Sequence, residues 1–501
     1  MGGPLAALLL SSTDLGPAVD ANVGAVVSLH RRDRPQVLSA WAGQHGVSVD
    51  WHPGDDWASI HGSAAALAQA FRVPVHDYRA HDGQRFYATG ESIPVPAEVA
   101  GEVSAVGRIM NYRVGAATAG AAGAPAASGS SDGLLSAAQL RTAYDVGPLA
   151  AAGYTGQGTT VVFFELDGFS QADLDAFSTA NGLPDFTPVL VGGMPGPPAK
   201  GGETPMDLEA VHAVAPGARL VVVNLLSFGD GSLAAVMSSA FRSADQQFPG
   251  AIWSLSLSDC EGLYTTADLE PLEEELVHAQ AHGTSAFAST GDTGSLECRF
   301  ANNNIAGPPT PPDVGVGMPA SLPAMTAVGG TRLTVDVSGR WLGEQAWDYS
   351  ALSQGSSGGV SGLFPRPSWQ QTDGVAAARD QTHRLLPDVS ALADPATGLR
   401  NVIAGRVSPG GGTSLATPLW AAFTVLMDQY LLAQGGQVLG ALNPLLYRVT
   451  NGAALPAFHD ILLGGNAVDL AGTGYDLVTG IGSPDVWNLS QDLLTVERGG
   501  S

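Results

Sequence analysis

The apolar and polar positions of this chain fall into two regimes separated by a stretch with little of either periodicity. In the first hundred or so residues the runs are short: "VGAVVSLH" at 23–30 predicts a strand, "PQVLSAWAGQHG" at 35–46 a helix, and "VSVDW" at 47–51 a strand. A helix over "SAAALAQAFR" at 63–72 follows, then strands over "VPVHDYRA" and "QRFYATG". This alternation describes a small α+β domain. From residue 116 to 132 the sequence "AATAGAAGAPAASGSSD" offers no large apolar group to bury and reads as a linker. Beyond it, continuous apolar runs alternate with helical ones. "GTTVVFFEL", "ARLVVVNLL", "AIWSLSLS", "TSAFAST" and "TAVGGTRLTV" are strand-like, whereas "QADLDAFSTANG", "SLAAVMSSAFRSA" and "LEEELVHAQAHG" carry helical spacing. Strands apolar on both faces between helices of ordinary length predict an α/β fold whose mostly parallel sheet is covered on both sides. In such sheets ligands bind beyond the carboxyl ends of the strands.

Composition narrows the functional classes. The chain has 501 residues, 45% hydrophobic and 14% charged, with a formal net charge of -25 from 47 acidic and 22 basic residues. Strong negative charge argues against nucleic acid or an anionic membrane surface as a partner. No run has the apolar length to span a bilayer. Near the start, "PLAALLL" is apolar but short and no Lys or Arg precedes it, so it is a poor secretion signal. Cys260 and Cys298 have no metal-ligand spacing and are either two thiols or one disulfide.

The segment "GGTSLATPLW", residues 411–420, places Ser414 after a glycine turn and at the start of a helical run, where free backbone N–H groups can face an oxyanion. A serine N-cap would look the same, so a base must be found. "HGTSAF" at His282 and "GDTG" at Asp292 superficially suggest a subtilisin-like pair, but the histidine precedes the aspartate, the reverse of the subtilisin order. His282 instead ends a helical run, where the dipole favours a cation. One "DTG" is also insufficient for an aspartic peptidase, which needs two carboxylates sharing a proton. The other candidates are Glu203 and Asp207 in "GGETPMDLEAVHAVAPGA", four residues apart and so on one helix face. A solvated acidic face is the ordinary alternative, and the apolar neighbours Met206, Leu208, Val211 and Val214 weigh against it.

Seven segments in order, "GETPMDLEAVHAVAPGA", "FASTGDTG", "PASLPAMTAVGGT", "GSSGGVSGLFPRPSWQ", "RLLPDVSALADPATG", "GGTSLATPLWAAF" and "FHDILLGGNAVDLAGTGYDLVTGIGSPD", give the chain its resemblance to the sedolisins, the serine-carboxyl peptidases, in pro-enzyme form. The resemblance implies a subtilisin-like catalytic domain at 133–498, a small ferredoxin-like α+β prodomain at 1–114 that inhibits it, and an activation linker at 115–132. It implies Ser414 as nucleophile, Glu203 as general base, Asp207 as the carboxylate that tunes Glu203, and Asp292 facing the oxyanion. It further implies one structural Ca²⁺ held by Asp460, the Ile461, Gly472 and Gly474 carbonyls and Asp476, an all-oxygen set suited to that ion. A Cys260–Cys298 disulfide is also implied. The chemistry expected is acid-acting endopeptidase cleavage of proteins or peptides by an extracellular monomer. Tripeptidyl aminopeptidase activity on the same fold, a His-dependent peptidase and a catalytically silent binding protein are the alternatives. The chain departs from the common family pattern at Leu257, where many members have a tryptophan that partners the acid corresponding to Glu165.

Overall fold

A computed structural model describes residues 3–20, 22–113, 133–197, 202–229, 231–301, 303–304, 308–372, 375, 380–450, 452 and 454–499. The linker expected at 115–132 lies outside the described residues. The N-terminal part comprises α1 (Pro4–Ser11), β1 (Thr13–Pro17), β2 (Val23–Leu29), α2 (Gln36–Gln44), β3 (Ser48–Asp50), β4 (Trp57–Gly62), α3 (Ala64–Phe71), β5 (His76–Arg79), β6 (Arg85–Ala88) and β7 (Val103–Val106). Strands β3-β4-β2-β7 form an antiparallel sheet. With α2 and α3 as its two crossovers this is the ferredoxin-like arrangement, and Leu38, Trp41, Ile60, Leu67 and Phe71 fill its core. Strands β4 and β7 escape the sequence pattern because Ala, Ser and His interrupt the apolar positions of "WASIHG", and "VSAV" is only four residues long.

A second small sheet, β1-β5-β6, joins this part to the rest. Leu5 and Leu8 of α1, with Phe86, Met110 and Tyr112, are buried in the same apolar cluster as the helices of the larger domain. The short "PLAALLL" run is therefore packed against the fold. Charged contacts reinforce the junction: Arg242 Nη2 meets Asp55 Oδ2 at 2.7 Å and also pairs with Glu275, while Arg32 Nη1 meets Glu274 Oε1 at 2.7 Å.

The larger domain begins with α4 (Ala137–Ala143) and α5 (Gly147–Ala151) and then enters β8 (Thr160–Glu165), α6 (Gln171–Asn181), β9 (Val189–Val191), α7 (Glu203–Val214), β10 (Arg219–Asn224), α8 (Leu233–Gln247) and β11 (Ile252–Leu255). It continues through β12 (Asp259–Cys260), α9 (Thr266–Ala281), β13 (Ala286–Ser289), β14 (Gly317–Met318), β15 (Thr326–Val335), β16 (Trp341–Ala346) and the long α10 (Thr413–Ala433). The main sheet has the order β16-β15-β13-β11-β8-β10-β9, with the strand Val389–Leu392 paired to β15. All its pairings are parallel except β15 with β16.

Alternation along β8 shows why the strands read as continuously apolar. Val161 and Phe163 enter the core beneath α7 and α10 on one face, and Val162 and Phe164 enter the core beneath α8 and α9 on the other. Each such side chain contributes about 1.5–3 kcal/mol of burial. Cys260 and Cys298 form a disulfide, the second of the two possibilities open from the sequence. A loop of this length constrains the unfolded chain by about 4 kcal/mol in the chain-entropy picture. Among the described residues no helix is long and apolar enough to cross a membrane.

Candidate active site

Two helices that start side by side build the site. In α7 every residue from Thr204 to Val214 is buried, so the helix is an interior element and its acids are not a solvated face. Glu203 opens it after Gly202, whose φ of 66° turns the chain into the helix. Its neighbour α10 opens at Thr413 after Gly412, at φ 83°. A Cβ at Gly412 would lie 2.5 Å from Asp292 Oδ2, so both conformation and space require glycine there.

Asp292, on the loop after β13, accepts the Thr413 N–H at 2.7 Å and the Thr413 hydroxyl at 2.8 Å through Oδ1. One orphan donor of the α10 N-terminus is thus satisfied by a carboxyl group from another element. Burial nevertheless pushes Asp292 up to about 7, against these hydrogen bonds. It carries a proton through the acid range and can then donate from its other oxygen.

Ser414 is the second residue of α10 and is buried. Burial raises the Glu203 carboxyl to about 8, opposed by the nearby Ser414 and Ser256 hydroxyls and reinforced by the charges of Asp167 and Asp292. Both Glu203 oxygens are shielded from solvent, and neither has a fully aligned donor. Such loose geometry is ordinary for a catalytic hydrogen bond before substrate arrives.

Asp207 sits one turn further along α7 and is also held well above the usual carboxylate range, first by burial and then by the charges of Glu165 and Glu203. Ser256, just beyond β11, has its Oγ 2.6 Å from Asp207 Oδ2 and 3.1 Å from the Ser414 carbonyl oxygen. Pro418 explains why that carbonyl is available, because a proline four residues on has no N–H to donate to it. A single Ser256 proton can serve the carbonyl while the Asp207 contact persists if Asp207 carries a proton and donates it to Ser256. That arrangement agrees with the direction of the Asp207 shift.

Around the helix start lie two further acids at the end of β8 and beyond it. Glu165 is buried and raised by burial, then by the charges of Asp167 and Glu203. Asp167 Oδ1 accepts the Thr204 hydroxyl at 2.5 Å and the Thr204 N–H at 3.3 Å. The structure therefore brings together Ser414, Glu203, Asp207 and Asp292, and adds Ser256, Asp167 and Thr204, which the sequence pattern did not single out. Ser256 lies inside the run "AIWSLSLS", which reads only as a strand. His282 is elsewhere: it caps the C-terminus of α9, is half-exposed, and pairs with Asp245 at 2.8 Å. His212 bonds the Pro184 carbonyl and His383 bonds Asp380, so these rings too are engaged away from Ser414.

The proposed calcium ligands lie on two adjoining loops. Asp460 Oδ2 accepts the Gly474 N–H at 3.0 Å, and Asp476 accepts N–H groups from Gly472, Val478 and Thr479 at 3.0, 2.9 and 2.8 Å. These hydrogen bonds tie the two loops together, and Asp460 and Asp476 are the only carboxylates of the expected set. Among the described residues no group of three or more His, Cys, Asp or Glu side chains is arranged to hold a metal.

With this geometry in view, the chain can be set beside known proteins. Kumamolisin from Bacillus sp. (strain MN-32) is 30% identical over 487 residues, covering 91% of this chain and 82% of that protein. This chain belongs to the sedolisin family. Residues 28–112 match the description "Pro-kumamolisin, activation domain", so this sedolisin carries an intramolecular prodomain and is a serine-carboxyl peptidase zymogen, a hydrolase. The solved structure of Pseudomonas sedolisin, described as a serine-carboxyl proteinase complexed with two molecules of pseudo-iodotyrostatin, superposes with a TM-score of 0.60 at 28% identity, over 71% of this chain and 96% of that one. Tripeptidyl-peptidase sed5 from Aspergillus fumigatus is 34% identical over 40% of this chain and 37% of its own.

The buried carboxyls predict how stability depends on pH. Glu203 and Glu209 rise to about 8, and Asp259, Asp292 and Asp428 to about 7, all chiefly through burial. Between an unfolded-state value of about 4 and these folded values, the folded chain binds more protons, so its stability falls as pH rises. Thermal unfolding of Ser414→Ala full-length protein should therefore show a higher midpoint at about pH 5 than at about pH 8. A midpoint that rises over that interval would contradict the assignment.

Proposed function

We propose that this zymogen is an acid-acting endopeptidase in which Ser414 is the nucleophile and Glu203 its general base. The observation that carries this reading is the meeting of two buried helix starts, which brings the Ser414 hydroxyl against a carboxyl group rather than an imidazole. A free carboxylate stays ionised where a free histidine is protonated, but burial holds Glu203 at about 8 in this zymogen, so the proposal requires bound substrate to bring Glu203 down before it acts as base in acid. The charges of Glu165, Glu203 and Asp207 bear on one another, so ionisation of one opposes ionisation of the others.

Ser414 Oγ attacks the peptide carbonyl as Glu203 takes its proton. The oxyanion that forms is steadied by protonated Asp292, a donor whose loss typically costs about 10²–10³ in rate. Glu203 returns the proton to the leaving amine, and water repeats the sequence on the acyl-enzyme. Asp207, through Ser256, would hold the Ser414 main chain in register with α7. Since Asp292 loses its proton near pH 7, turnover should fall as pH rises through that value. Endopeptidase cleavage is preferred over tripeptidyl removal on the resemblance of the motifs, and the relatives named tripeptidyl-peptidase match 40% and 48% of this chain. A disulfide and chemistry suited to acid fit an extracellular monomer acting on proteins or peptides.

Asp460 and Asp476, with the carbonyls of Ile461, Gly472 and Gly474, would hold Ca²⁺. Its contribution would be to tie the two loops together. Chelation of calcium from the purified chain should lower the thermal midpoint, and calcium but not magnesium should restore it. An unchanged midpoint in excess chelator would remove the metal from this account.

Acidifying the purified full-length chain should release a fragment of about the first hundred residues, with Ser414→Ala remaining intact and Glu203→Ala slowed by about 10³-fold or more. Equal cutting of wild type and Ser414→Ala would contradict self-processing. Wild-type turnover in Glu203→Ala would remove Glu203 from the mechanism.

A further inference from the structure

Helix α7 has an unusual beginning for an element that must hold a reacting group still. Its N-cap is Gly202, which has no side chain to bond the free N–H groups of the first turn. A serine, threonine, aspartate or asparagine at that position would ordinarily do so. Asp167 supplies the missing acceptor from two residues beyond the end of β8. Its Oδ1 takes the Thr204 N–H at 3.3 Å and the Thr204 hydroxyl at 2.5 Å, and its main-chain oxygen lies 2.8 Å from the same hydroxyl. Thr204 Oγ1 also lies 3.1 Å from Glu165 Oε2. Thr204 is fully buried and Asp167 nearly so. Thr204 follows Glu203 directly, so whatever fixes Thr204 fixes the Cα of Glu203.

We propose that Asp167 and Thr204 form a clamp that aims the Glu203 carboxylate at Ser414, with Asp167 as a positioning residue for the general base. The inference rests on the reading of Glu203 as that base. The clamp ties the first turn of α7 to the end of β8, a strand paired on both sides, with β11 and β10. The relation is also electrostatic. The groups that bear on Glu203 are Asp167 from the loop after β8, Asp292 from the loop after β13, Ser256 from the end of β11 and Ser414 from α10. Glu165 from β8 and Asp207 from α7 couple to it in turn. Negative charge on Asp167 opposes ionisation of Glu203, so Asp167 both holds the base and sets the acid limit at which it can work.

The two effects separate by substitution. Asp167→Asn keeps an acceptor for Thr204 but removes the charge, so the acid limb of kcat/KM should move to lower pH by roughly 0.5–1 unit, with kcat at the optimum largely kept. Asp167→Ala and Thr204→Val loosen the clamp and should lower kcat by about 10–100-fold with KM within about threefold. Thr204→Ser, which retains the hydroxyl, should recover most of the loss seen in Thr204→Val. Full-length variants are assayed on a peptide substrate from strong acid to neutral pH, with the rate of self-cleavage as a second readout. The inference is overturned if Asp167→Asn leaves the acid limb in place while Asp167→Ala and Thr204→Val keep wild-type kcat. It is also overturned if Thr204→Ser is as impaired as Thr204→Val, which would signify a packing defect. Glu203→Gln run alongside distinguishes the two levels, since activity in that variant would remove the base reading itself.

Discussion

The proposed chemistry rests on two buried helices, α7 and α10, beginning next to one another. Each start leaves backbone donors without partners, and each is met by a carboxyl group from a loop at the end of a sheet strand. Asp292 serves α10 through Thr413, and Asp167 serves α7 through Thr204. Glycine precedes both helices at positive φ, so neither start has a side-chain cap of its own. The acids that complete the fold at these points are consequently the acids that surround Ser414. Stability and chemistry share the same groups.

Burial of Glu165, Glu203, Asp207 and Asp292 moves all four upward, since water no longer solvates their charge. A protein whose interior acids prefer to be protonated is at ease in acid, where an exposed ion pair would be lost. The composition points the same way, since much of the self-repulsion of a chain with net charge -25 is relieved as carboxylates protonate. At the junction with the prodomain Asp55, Glu274 and Glu275 face Arg242 and Arg32, and burial still raises Glu274 and Glu275.

The α/β architecture was legible because strands such as β8 bury both faces and helices such as α8 keep one polar side. The order of seven different motifs then identified the family where single motifs could not. Ser414, Glu203, Asp207 and Asp292 stood out through local spacing and resemblance, and the fold brings them to one place from positions more than two hundred residues apart in sequence. Asp167 and Thr204 were invisible for a physical reason. Their partnership links a loop after one strand to the first turn of a later helix, and no local period records a contact of that kind. Ser256 is similar, since its partner carbonyl becomes free only through Pro418 on α10. The strands β4 and β7 were missed because the apolar residues of "WASIHG" and "VSAV" are too few and too interrupted to show a period.

A direct measurement concerns the acylation of Ser414 itself. Single-turnover reaction of the acid-processed protein with an activated peptide ester, followed by mass spectrometry of the Ser414 peptide, reports acyl-enzyme formation as a function of pH. Acylation should be fastest in acid, decline as Asp292 deprotonates near pH 7, persist in His282→Ala and collapse in Glu203→Gln. Acylation that climbs toward neutral pH and disappears in His282→Ala while surviving in Glu203→Gln would contradict a carboxylate base.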